Sequence, residues 1–367
     1  MIGVLAGWAC GCTHPLDEFR KGSADAGTDT FVADSTTDTA TDARSDVKAD
    51  STVDSAVDDT SIADAEDAAD AADAADVPDT GPSDTDPGCT AAAPAGMTCL
   101  FGATFDMGAK NEVVCGVGGC ASEQPQVSVK VSQFFIDDHE VSVKAFRTWW
   151  NLTSRPWPTN AISYFKAGTK DLKWRGTWPT APTEPATGLG CFWRGAADAT
   201  NDDKPLNCVD WYTALGFCLA DGRRLATEAE WELAATGGED RLYPWSAPMT
   251  EGLGSTAKDL DCFHTLHSST CTPANAAYDS TIWGRSRYGQ WNMAGSLSEW
   301  VLDGHTANLS GVAAGSLDPL NDPAGTTNRI TRGGSSSSSS DIRAAARPGA
   351  VAPSLQDTQI GFRCVKR

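Results

Sequence analysis

The chain has 367 residues, enough for one large domain or two ordinary ones, and a formal net charge of −21. The acidity is local: residues 23–87 hold eighteen Asp and one Glu against one Arg and one Lys, which leaves only a small charge on the rest. No basic cluster elsewhere could neutralise phosphates, which argues against nucleic acid as a partner.

The start, "MIGVLAGWACGCTHP", is an apolar run followed by small residues and Cys. It is too short to span a membrane as a helix. It resembles the end of a bacterial lipoprotein signal, and Cys12 fits the lipid-bearing position better than Cys10, which sits close behind the bulky Trp8. The expectation is an exported protein held to a membrane by an N-terminal lipid: a bacterial outer-membrane or cell-surface lipoprotein, or a periplasmic one. Residues 1–22 form this leader. Twelve cysteines point the same way, because disulfides form in oxidising compartments.

Residues 23–88 are almost all Asp, Ala, Thr, Ser and Val. Such sequence has too little apolar surface to offset the entropy of ordering it, and like charges stretch it. It reads as a disordered acidic stalk. Calcium capture by its Asp repeat is a weaker reading, since the Gly turns of a calcium repeat are missing.

From Cys89 to Arg367 the composition changes, and every Trp except Trp8 lies in this block. Aromatic, Gly-rich sequence with few long helices predicts a compact, loop-rich α+β domain. A helix is predicted at "SVKAFRTWWN", capped by Ser142. Another is predicted at "VDWYTALGFCLADGRR", capped by Asp210 and stopped by Gly222. "TEAEWELAATGG" is a capping box, with Thr227 answered by Glu230 and an end at Gly237-Gly238. Strands are predicted at "QVSVKVSQFFID" and "QIGFRCVKR".

Seven blocks then occur in order: "ATFDMGA", "EQPQVSVKVSQFFIDDHEVSVKAFRTW", "PLNCVDWYTALGFCLADGRRLATEAEWELAATGGEDRLYPWS", "YGQWNMAGSLSEWVLD", "RITRGGS", "IRAAAR" and "IGFRCVKR". Together they resemble the formylglycine-generating enzyme family, also called sulfatase-modifying factor domains, over roughly residues 98–367. The fold this implies is the family's variant of the C-type-lectin-like fold, with little regular secondary structure.

The family's oxidase converts a sulfatase Cys to formylglycine with two copper-binding thiolates. The first lies three residues after the Ser of Gly-Gly-Ser, and the second five residues later. Here the matching Ser is Ser335, Ser338 stands at the first thiolate position, and the following eight positions hold no Cys. A hydroxyl stays protonated at neutral pH and is a poor ligand for Cu(I). Ser335 and Ser338 are therefore vestigial positions, copper is not expected, and no catalytic residue is assigned. A serine hydrolase is disfavoured too, because no nucleophile-elbow pattern appears. Arg332, Gly333, Gly334 and Arg343 are expected to order the ends of the serine run.

The resemblance also implies calcium at "NMAGSLSEW": Asn292 and Glu299 by side chain, Gly295 and Leu297 by backbone carbonyl, all hard oxygen donors. Ser296 stands where the family usually has Asn. A second family calcium site would begin near Asn275-Ala276, with Asp279 as its partner. Cys262, His264, His267 and Cys271 read as a local disulfide before a metal site. The resemblance pairs Cys218 with Cys364. Spacing suggests Cys89–Cys99, Cys115–Cys120, Cys191–Cys208 and Cys262–Cys271, one of several connectivities the count allows.

Two functions follow as expectations. The first is a non-oxidase module that binds a protein, peptide or glycan. The second is an enzyme of the family, either a formylglycine generator or a relative such as an ergothioneine sulfoxide synthase or a pyoverdine maturation protein.

Overall fold

A computed structural model describes residues 89, 92–110, 120–167, 170–244, 286–322, 328–335 and 342–367. The leader, the acidic stalk, Ser338, Asn275, Ala276, Asp279 and the Cys262–Cys271 segment with its histidines lie outside the described residues.

In chain order the elements are β1 (Met97–Leu100), β2 (Ala103–Met107), β3 (Val127–Val131), β4 (Phe134–Asp137), α1 (Val143–Trp150), β5 (Ser163–Ala167) and β6 (Lys170–Lys173). They continue with α2 (Trp211–Leu219), β7 (Arg224–Leu225), α3 (Glu228–Thr236), β8 (Ser298–Gly304), β9 (Arg329–Arg332), β10 (Ile360–Gly361) and β11 (Cys364–Lys366).

All three helices start where side chains satisfy the exposed amides. Ser142 accepts from Ala145 N, and Asp210 accepts from Thr213 N. Thr227 and Glu230 close the reciprocal capping box of α3, which ends on Gly237 at φ 71°. The second helix ends at Leu219, before the expected stop, and a turn carries the chain to Gly222 at φ 66°.

The stretch expected as one strand over 126–137 is two. Ser132 donates from N and Oγ to Asp318 at 2.7 and 2.8 Å, and the chain turns there. β3 then pairs with β2, while β4 joins β1 and β11 in a sheet ordered β1-β4-β11-β7. The C-terminal stretch is split likewise: β10 lies in the sheet β10-β8-β9, and β11 in the four-stranded sheet.

Two apolar cores support this frame. One surrounds α1 and α2 and contains Trp149, Trp193, Trp211 and Trp300. The other lies under α3 and contains Val129, Phe134, Trp231, Val301 and Ile330. Disulfides join Cys89–Cys99, Cys191–Cys208 and Cys218–Cys364, as the sequence suggested. Cys120 is also disulfide-bonded, and its expected partner Cys115 lies outside the described residues.

Candidate functional site

β9 ends on Arg332 and runs directly into Gly333, Gly334 and Ser335. The two glycines have φ 85° and 63°, the left-handed region that a side chain resists. At Gly333 space adds to that requirement. A Cβ there would sit 2.9 Å from the Trp231 ring and 3.2 Å from the Met293 carbonyl. Gly333 O also accepts from Gly295 N at 2.8 Å, so the serine segment begins against the 292–297 loop. Ser335 is buried at that root. Ser338 lies outside the described residues.

Both ends of the segment are held by buried arginines. Before it, Arg332 donates to Glu228 Oε1 at 2.9 Å and to Glu232 Oε2 at 2.6 Å. After it, Arg347 donates to the same Glu228 Oε1 at 2.5 Å and to Ser122 O at 2.6 Å. Arg332 also reaches the Ala344 carbonyl at 2.7 Å, which ties the two ends to each other. Arg343 makes a bidentate pair with Glu123 at 2.7 and 2.6 Å. Glu228 and Glu232 come from the first turns of α3, whose capping box sets their direction.

Beside this anchor a small surface cleft, with room for little more than a water, is lined by Asp106, Lys110, Glu232, Asp240, Arg343 and Ala345, among others. Its walls carry both signs of charge, which suits a polar ligand more than an apolar one.

The residues expected to hold calcium lie on one loop leading into β8. Asn292, Gly295 and Ser296 have φ 58°, 74° and 57°, a run of left-handed backbone that clusters at functional loops. Leu297 is buried in the same loop. Glu299, however, accepts from Arg363 Nε and Nη2 at 2.9 and 2.6 Å on Oε1, and from Arg363 Nε and Trp231 Nε1 at 2.8 Å on Oε2. Four contacts fill its lone pairs, so this carboxylate serves Arg363 and Trp231. The sequence reading missed Glu140. It is 2% exposed and accepts from Asn292 Nδ2 at 2.9 Å. Burial, and then the charge of Glu299, pushes the Glu140 carboxyl up. Glu140 is thus a second buried carboxylate beside the left-handed loop, an oxygen donor of the kind a hard cation takes. Among the described residues no group of three or more His, Cys, Asp or Glu side chains is placed to hold a metal. A cation here would therefore depend on amide and carbonyl oxygens as well. The "DHEVS" stretch carried a signal that could have found Glu140, since a Glu beside a strand end and a helix cap is rarely buried without a role.

For copper the donors do not fit. The chain holds no Cys from Ser335 to Arg363, so the thiolate pair is absent by composition.

A C-type-lectin-like frame with few helices carries a Gly-Gly-Ser loop rooted on an Arg–Glu anchor. The chain matches the sulfatase-modifying factor enzyme 1-like domain over residues 84–367 and belongs to that family. It is 29% identical over 290 residues to a formylglycine-generating enzyme of Thermomonospora curvata, covering 73% of this chain and 92% of that protein. It is 27% identical to the Bos taurus formylglycine-generating enzyme, covering 76% of each. A Mus musculus protein named inactive C-alpha-formylglycine-generating enzyme 2 is 30% identical over 193 residues, covering 47% of this chain and 54% of that protein. The structure of PvdO from Pseudomonas aeruginosa superposes with a TM-score of 0.51 at 18% identity, covering 74% of this chain and 94% of that one, a likeness of fold.

Proposed function

We propose that this is a non-oxidase member of the family, a module that binds a protein, peptide or glycan outside the cell. The observation that carries the reading is the cysteine-free segment after Gly333-Gly334. Hydroxyls stand where the oxidase keeps thiolates, and the surrounding scaffold is intact. The small charged cleft beside Arg343 is where a polar group of such a ligand would meet the scaffold. Three disulfides support an oxidising location, and the leader-like start supports export with a lipid anchor at a membrane.

Calcium is part of the same proposal. Asn292, Glu140 and the carbonyls of Gly295 and Leu297 would hold it, and its effect would be to offset the buried Glu140 carboxylate and stiffen the loop against which Gly333 rests.

The test is metal content together with a peptide assay on the full chain. The expected result is no stoichiometric copper and no aldehyde from a Cys-x-Pro-x-Arg sulfatase peptide. Stoichiometric copper, or aldehyde formation, overturns the reading in favour of the enzyme.

A further inference from the structure

We propose that the Arg–Glu anchor is a pH-sensitive joint: on the acid side of neutrality it holds one proton on Asp303, and losing that proton loosens both ends of the serine segment.

The charge count in the anchor motivates this. Three buried carboxylates, Glu228, Glu232 and Asp303, meet two buried guanidinium groups, Arg332 and Arg347. Among the described residues no third guanidinium bonds to these carboxylates: Arg343 pairs with Glu123, and Arg329 pairs with Asp322, which Arg175 also holds. His305 is held towards its neutral form by burial and by Arg347. A buried cluster with one excess negative charge is relieved by taking up a proton.

Contacts decide which carboxyl takes it. Glu228 accepts from both arginines, and Glu232 accepts from Arg332 and from Gly108 N. Among the described residues Asp303, near the end of β8, bonds to no guanidinium and accepts from two backbone amides, Glu228 N at 2.7 Å and Asn321 N at 2.9 Å. The groups around it are Glu228 from α3, Asn321 from the loop after β8, Arg347 from the segment after the serines, His305 two residues on, and Arg329 from the paired strand β9, which donates to the neighbouring Leu302 carbonyl at 3.0 Å. Burial, and then the charge of Glu228, pushes the Asp303 carboxyl up to about 7.

Ionised Asp303 would repel Glu228, the carboxylate on which both arginines meet. A carboxyl raised in the folded state contributes stability that is fully present below its unfolded value and is lost as pH rises through the folded value. The window is therefore from the ordinary Asp range up to about 7.

The experiment is amide hydrogen exchange on the full chain, corrected for intrinsic rates, at several pH values between about 5 and 8. Protection at residues 329–335 and 342–347 is expected to fall by up to about tenfold per pH unit until pH 7 and then level off. Asp303→Asn should flatten that dependence. Flat protection in the wild type, or the same fall in Asp303→Asn, overturns the proposal. If the variant does not fold, a carbon-13 titration of Asp303 in the wild type decides. A midpoint near 7 supports the joint, and one below about 5 overturns it.

Discussion

Arg332 and Arg347 stand on opposite sides of the serine segment, and both donate to one oxygen of Glu228. The carboxylate is wholly inside the protein, and its removal leaves the buried Arg347 without its carboxylate partner. Glu228→Gln is expected to cost about 3–5 kcal/mol of unfolding free energy. Urea denaturation checks this, and a loss within about 0.5 kcal/mol would mean the anchor does not hold the segment.

Gly333→Ala places a Cβ against the Trp231 ring at a φ of 85°. The backbone conformation and the close ring act together, so a loss of about 1–3 kcal/mol is expected. Gly176→Ala, where a Cβ meets nothing within 4 Å, serves as the control for composition alone. Equal melting temperatures for the two variants would contradict the packing account.

The Cys218–Cys364 bridge closes a separation of 146 residues between α2 and β11. In the chain-entropy account a loop that long is worth about 5 kcal/mol, and strain or residual structure lowers the realised value. A Cys218→Ser, Cys364→Ser double variant should lose about 2–5 kcal/mol. Calorimetry under non-reducing conditions reads the difference.

At low pH the limiting carboxylate is Glu230. Burial alone would push it up, but Arg224 and then Arg367 outweigh that, and it lies at about 2. A depressed carboxyl contributes stability that is present above its unfolded value and is lost as pH falls through the folded one. Stability should therefore decline from roughly pH 4.5 downwards towards 2. Arg224→Met raises the folded value, so it should shorten that decline and end it at a higher pH, and an unchanged acid limb would assign it to other groups.

Calcium should raise the melting temperature, and a chelator should reverse the rise. Saturation at about a hundred times the dissociation constant corresponds to about 2.7 kcal/mol. Glu140→Gln should abolish the shift, because it removes the carboxylate that faces Asn292. An undiminished shift in that variant would place the ion elsewhere.

Local sequence carried much of the fold. Ser142, Asp210 and Thr227 announce their helices because a cap acts within four residues. The ordered blocks identified the family and with it the bridge between Cys218 and Cys364. What local sequence could not carry were meetings between distant positions. Nothing near Arg332 says that its partner is Glu228, 104 positions earlier. Glu299 looks like a cation ligand until Arg363 is seen on it, and Glu140 gains its interest only when Asn292 is folded against it. The split of residues 126–137 has the same origin, since the turn at Ser132 depends on Asp318.

Residues 360–367 occupy two sheets at once, carry one half of the long disulfide, and deliver Arg363 to Glu299 and Arg367 to Glu230. β11 lies between β4 and β7, so without it the four-stranded sheet is two fragments. The domain consequently cannot close until residues 360–367 have been made, because the strand that joins its sheet is synthesised after nearly everything it joins. A nascent chain arrested before Ile360 should remain open to protease.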